Sequence, residues 1–152
     1  MRSEATLELE RFLPYRLSLL SNRVSASISR AYANRFTLSI TEWRVMAVLA
    51  RFPGLSSNEV AERTAMDKVA ISRAVGNLLD HGRLQRETHG SDRRKSVLTL
   101  SPAGHAIHAD VVPRAKAYEQ ALLACLEDEE RVALDRIIDK LMRQQAAAAE
   151  HL

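Results

Sequence analysis

Apolar positions along most of this chain recur at helical spacing, and one short region switches to strand-like runs. From Leu13 through Leu17, Leu20, Val24, Ile28 and Ala31 the intervals are 4, 3, 4, 4 and 3. That spacing predicts an amphipathic helix without glycine, and Pro14 sits near its start, where a missing N–H does no harm. Ser39-Ile40-Thr41-Glu42 has the capping-box pattern and leads a helix through Trp43 to Leu49. Ser56-Ser57-Asn58-Glu59 repeats the pattern and opens a helix that ends at Thr64. After the break Ala65-Met66-Asp67, a further helix is predicted from Lys68 to about His81, with Asp67 as N-cap and Gly82 as its stop. Ile71, Val75 and Leu78 fall on one face of it, and Lys68, Val69, Ser72 and Arg73 share the opposite face near its start.

Arg83 to Thr88 and Ser96 to Leu100 read as strands. The segment between them, His89-Gly90-Ser91-Asp92-Arg93-Arg94-Lys95, is too polar to pack inward, so the pair forms a hairpin with a charged tip. Ser101-Pro102 supplies an N-cap and first helical position for a long helix that runs past Pro113, with a kink expected there. A last helix follows, with Leu134, Ile138 and Leu141 predicted to face inward, and it fades into Gln144-Gln145 and an alanine run.

Two helices joined by so short a turn and followed by a hairpin predict a winged helix-turn-helix. The fold class is mainly α with a small β-hairpin wing (α+β). Neither terminal helical region can bury its apolar stripe alone, which argues for an intertwined dimerisation region in a two-fold homodimer. The expected organisation is an N-terminal dimerisation helix over residues 1–36 and a winged lobe over 37–101. C-terminal dimerisation helices fill 102–152. Within the lobe the recognition helix spans about 68–81 and the wing about 83–100.

Charge changes this picture locally. A net charge of +3 in 152 residues does not by itself establish nucleic-acid binding. Between Arg83 and Lys95, however, Arg83, Arg86, Arg93, Arg94 and Lys95 outnumber Glu87 and Asp92, and such a tip suits phosphates and a narrow minor groove. The acidic block Glu127-Asp128-Glu129-Glu130 is helix-start chemistry that complements the dipole. Catalysis finds no support. The chain has no glycine-rich phosphate loop, nucleophile elbow or His-Glu-x-x-His run, and its acids are expected on helix surfaces without apolar enclosure. The apolar runs Val45 to Ala50 and Ala121 to Leu126 are too short to span a bilayer, and no targeting segment is visible, so a cytoplasmic protein without membrane contact is expected. Cys125, the single cysteine, reads as a buried small hydrophobe rather than a redox group.

The run Met66 to Arg73, then Leu78 to Arg86, then Asp92-Arg93-Arg94 through Leu98 to Gly104 closely resembles the MarR family of bacterial transcription regulators, and the flanking helices also fall where that family has them. The resemblance implies double-stranded DNA as partner. Arg73 would read bases in the major groove, Arg94 with Arg93 would enter the minor groove, and Asp92 would orient the wing. Val69 shares the reading face, while Ser57, Lys68 and Ser72 would hold phosphates. A dimer of such lobes meets an imperfect palindrome with half-sites about one helical turn apart. Arg83 departs from the family, which more often has an apolar residue after the glycine; its long stem can cover the same surface.

The resemblance also implies a small-molecule effector, an aromatic carboxylate or phenolic compound, bound in a crevice between the dimer helices and the winged lobe. Candidate contacts are Arg16 and Arg23 for a carboxylate, with Tyr15, Trp43 and Met46 against a ring. Trp43 serves equally well as packing at that junction. No cofactor or metal is implied. His105 and His108, at i and i+3, share a helix face and are similar in placement to the zinc-sensing histidines of some relatives, but a structural zinc site needs four ligands. The peroxide-sensing branch has its cysteine in the first helix, where this chain has none. The expected function is a repressor of a catabolic or efflux operon, released by a small aromatic acid. A zinc-responsive regulator on the same fold and a winged-helix assembly module without DNA binding stay open.

Overall fold

The computed structural model describes residues 6–88 and 96–152. The predicted helices form where caps and apolar spacing place them: α1 Leu13–Ser29, α3 Ile40–Arg51, α4 Ser57–Thr64, α5 Lys68–Asp80, α6 Pro102–Leu123 and α7 Asp128–Ala149. One helix is new, the single turn α2 at Ala33–Phe36, which ends at Thr37 in the left-handed region (φ 54°, ψ 44°). A turn of four residues is too short to carry an amphipathic signature.

Both capping boxes close. The Glu42 and Glu59 amides donate to the Ser39 and Ser56 hydroxyls at 3.0 and 3.2 Å, and both carboxylates accept from the serine amides at 3.2 Å. Asp67 accepts from the Ala70 amide at 3.0 Å and starts α5. The helix then ends in a Schellman closure, in which the Gly82 amide donates to the Leu79 carbonyl and the Arg83 amide to the Leu78 carbonyl. Gly82 takes φ 71°, the conformation such a closure requires.

Strands β1 (Leu84–Thr88) and β2 (Ser96–Leu100) pair antiparallel with Leu84 opposite Leu100 and Arg86 opposite Leu98. Leu55, between α3 and α4, bridges to Leu98 and adds a short third edge. Leu84 of β1 and Leu98 and Leu100 of β2 are buried, so the hairpin lays one row of side chains on the core; the rest of β1 is exposed and the rest of β2 half-buried. That core comes from α3, α4, α5 and the hairpin, with Met46, Leu49, Ile71 and Leu78 at its centre. Each such side chain is worth about 1.5–3 kcal/mol when removed from water.

The chain divides into two compact units, Met1–Ala115 and Lys116–Leu152, with the division inside α6, which continues through Pro113. In the second unit Asp128, Glu129 and Glu130 occupy the first turn of α7, and the Glu130 carboxylate accepts from the Glu127 amide at 2.9 Å.

Three expectations need correction. Leu134, Ile138 and Leu141 do not face inward but stand exposed on α7, because no element of this unit covers them. Cys125 is exposed rather than buried; its thiol lies 3.4 Å from the Leu122 carbonyl, beside a leucine that is itself exposed. Glu42 is not a surface acid. It is 8% exposed, and its carboxylate is kept by its cap role rather than by solvent.

Candidate nucleic-acid interface and junction cavity

Helix α5 presents a clean division. Ile71, Ala74, Val75 and Leu78 are buried, while Lys68, Val69, Ser72 and Arg73 are all exposed. Val69 is 58% exposed, an apolar side chain left on the outer face of a helix whose other valine is in the core. Among the described residues Arg73 enters no ion pair. The buried face holds the helix rigidly, so the outer side chains project from a fixed platform. Ser57 is half-buried at the first position of α4, where helix N–H groups lack intrahelical acceptors and favour an anion. Asp92, Arg93 and Arg94 lie outside the described residues.

The five residues expected around an effector are not brought together. Tyr15, Arg16 and Arg23 border a shallow groove of about 600 Å³ along α1, with Glu10 and leucines of the same helix. Trp43 instead lines a separate cavity of about 130 Å³ with Ser25, Ile28, Tyr32, Ile40 and Arg44. Met46 is fully buried in the core and borders neither.

The cavity beside Trp43 is built by rings and one guanidinium. Tyr32 stacks on Trp43 with centroids 5.4 Å apart at 24°, and His108 stacks on it at 5.6 Å and 21°. Burial pushes the Tyr32 phenol above its ordinary value, against the opposing pull of the Arg44 charge. Burial lowers the His108 imidazole from its ordinary value, and the neighbouring His105 lowers it further. Arg44 donates from Nη2 to the Ser25 hydroxyl at 2.8 Å and reaches the Met66 sulfur at 3.8 Å. It thereby touches α1 on one side and the turn before α5 on the other. His105 is exposed, and among the described residues no set of three or more His, Cys, Asp or Glu side chains is placed to hold a metal ion.

Sequence reasoning found Trp43 but missed Arg44, Tyr32 and Ser25. A charged residue within the apolar run Trp43 to Leu49 was the one available signal for Arg44.

The sequence model described as the MarR family matches residues 36–95, from the end of α2 to beyond β1. A transcriptional regulatory protein for the hcr operon of Thauera aromatica is 30% identical over 102 residues, covering 67% of this chain. The chain spans 61% of that relative's length. The crystal structure of a MarR/EmrR family transcriptional regulator from Acinetobacter sp. ADP1 superposes with a TM-score of 0.83 at 25% identity, covering 93% of this chain and 99% of that one. The chain belongs to the MarR family.

A second solved structure, that of Bordetella bronchiseptica BpsR, described for the regulation of its DNA binding by 6-hydroxynicotinic acid, matches with a TM-score of 0.76 at 25% identity. It covers 86% of this chain and 98% of that one. Proteins of the MarR family are transcription regulators rather than enzymes. The MarR match spans the helix-turn-helix and β1, the part of the chain where the exposed and buried faces of α5 are most sharply separated.

Proposed function

We propose that this chain is a homodimeric, sequence-specific DNA-binding repressor of a catabolic or efflux operon, released from a palindromic operator by a small aromatic acid. The observation that carries the DNA reading is the outer face of α5. Lys68, Val69, Ser72 and Arg73 are exposed together on a helix anchored by four buried side chains. Arg73 has the fork geometry for a guanine edge, Val69 suits a thymine methyl, and Ser57, Lys68 and Ser72 contact phosphates. Arg93 and Arg94 reach the minor groove from the wing, with Asp92 orienting it. Dimerisation is supported by Leu13, Leu17 and Leu20, which are 45%, 51% and 56% exposed along one stripe of α1. Among the described residues no helix is long and apolar enough to cross a membrane, and we assign the protein to the cytoplasm, acting on chromosomal DNA.

The effector reading keeps the junction and Trp43 and exchanges Tyr15, Arg16, Arg23 and Met46 for the residues that line the cavity beside Trp43. A carboxylate there meets the Arg44 guanidinium and the Ser25 hydroxyl, and a single ring lies against Tyr32 and Trp43. The cavity is smaller than the roughly 300–1,000 Å³ of drug-sized pockets, which selects for a one-ring acid. The regulation of BpsR by 6-hydroxynicotinic acid supports this ligand class.

The test is fluorescence anisotropy on a duplex selected by the protein from a random pool, titrated with salt and then with 6-hydroxynicotinate and other one-ring acids. Salt-sensitive binding is expected. Replacing Arg93 and Arg94 by alanine should flatten the slope of log affinity against log salt by about 0.9 for each phosphate no longer neutralised. Selection of no duplex would overturn the DNA reading. Binding that no such acid releases would overturn the effector reading alone.

A further inference from the structure

Four elements meet at one residue. Arg83 is the second residue past the cap of α5, and its main-chain N–H closes that helix on the Leu78 carbonyl at 2.9 Å. Its own carbonyl accepts from the Ser101 amide at 3.1 Å, at the start of α6, and the next residue, Leu84, begins β1. Its guanidinium crosses to α2 and donates from Nη2 to the carbonyl of Phe36, the last residue of that helix. The side chain is half-buried.

Helix α2 is itself the link to the ring stack. Tyr32 is its N-cap and lies on Trp43, which lies on His108. Within the same helix Arg35 pairs with Asp110 of α6 at 3.1 Å. Thr37, directly after Phe36, takes a left-handed backbone that a β-branched residue rarely adopts, so the segment leaving α2 stores strain that its surroundings must hold.

We propose that Arg83 is a positioning residue that couples the Tyr32–Trp43–His108 stack to the end of the recognition helix. The proposal rests on the DNA-binding reading above. Because main chain and side chain belong to the same residue, a displacement of the Phe36 carbonyl reaches the C-terminal closure of α5 and the start of the wing through one half-buried side chain. A leucine or methionine in this place fills the space but cannot hold a carbonyl at a helix end, where carbonyls lack intrahelical donors. A charged donor supplies the stronger bond. Coupling between two sites is reciprocal, so DNA bound at α5 must be felt at the stack.

Trp43 is the only tryptophan, and its emission reads the stack directly. The experiment titrates the selected duplex into full-length wild type, Arg83→Met and Arg83→Lys, and records anisotropy and Trp43 emission together, with circular dichroism as the check of folding. Expected are a Trp43 response in the wild type, its loss in Arg83→Met at little-changed DNA affinity, and its partial return in Arg83→Lys. A wild type without a Trp43 response overturns the coupling. So does an Arg83→Met response equal to that of the wild type, and so does a folded Arg83→Met that no longer binds DNA, which would make Arg83 part of the binding surface. Should Arg83→Met fail to fold, Arg83→Lys is compared with the wild type, and an undiminished response overturns the proposal. Selection of no duplex by the wild type fails the DNA reading itself, a result separable from all of these.

Discussion

The main-chain carbonyl of Arg83 lies so close to Gly104 that a Cβ added at residue 104 would stand 2.2 Å from its oxygen. The contact is surrounded by a small lattice of hydrogen bonds. Ser101 donates from its hydroxyl to the Gly82 carbonyl at 2.6 Å and accepts from the Gly104 amide at 3.0 Å, which caps α6 against the end of α5. Replacing Gly104 by alanine must push main chain against main chain. We expect a loss of about 3 kcal/mol, at the upper end for overpacking, read from urea unfolding. A loss under about 1 kcal/mol would mean that α6 can slide at no cost.

Ala65 supports the opposite prediction. It closes α4 at φ 53°, ψ 32°, a left-handed conformation that a side chain opposes by about 1–2 kcal/mol. Ala65→Gly removes that opposition but frees the unfolded chain by roughly 0.5–1 kcal/mol. A net stabilisation of up to about 1 kcal/mol is expected in the same unfolding assay. A clear destabilisation would show that the methyl group makes packing contacts that outweigh the strain.

His108 predicts a pH dependence with a definite sign. Its folded-state pKa is lowered, first by burial and second by His105, so the folded protein holds the neutral ring in preference. The stability this contributes is present above the ordinary histidine range and is lost as pH falls through that range toward the lowered folded value. Unfolding at pH 7.5 and pH 5.5 should therefore show a smaller pH difference for His108→Gln than for the wild type, conditions chosen to bracket the ordinary value of about 6.5. Equal differences in the two proteins would assign the pH dependence to other groups.

Arg73 is the residue from which base discrimination is expected. Arg73→Ala should weaken binding to the selected duplex by about 1–3 kcal/mol and reduce the penalty for a mutated base pair at one half-site position. It should leave thermal stability unchanged, since the side chain is exposed and makes no ion pair among the described residues. Discrimination equal to that of the wild type would reassign Arg73 to the phosphate backbone.

The two capping boxes, the Asp67 cap and the buried face of α5 were legible because each is written within a few consecutive residues. The hairpin was legible for the same reason, down to the pairing of its runs. The α2 turn was not, and neither was the burial of Glu42, which follows from what packs around the start of α3 rather than from its own cap pattern. The effector residues were the weakest reading. Tyr15, Arg16 and Arg23 share a helix face with one another but not a cavity with Trp43, and helical spacing reports only the former.

By itself, then, the sequence determined the longer helices and their capped starts, the hairpin and the side of α5 that points outward, since local hydrogen bonding and apolar periodicity act over one to four residues. Tertiary structure alone decided that Tyr32, Trp43 and His108 form one stack, that Arg44 bridges Ser25 and Met66, and that Arg83 reaches Phe36. These contacts join residues far apart in the chain, and no periodicity encodes them. They exist because packing the core brings α1, α2, α3 and α6 to one junction, where the remaining polar groups must find partners before they can be buried.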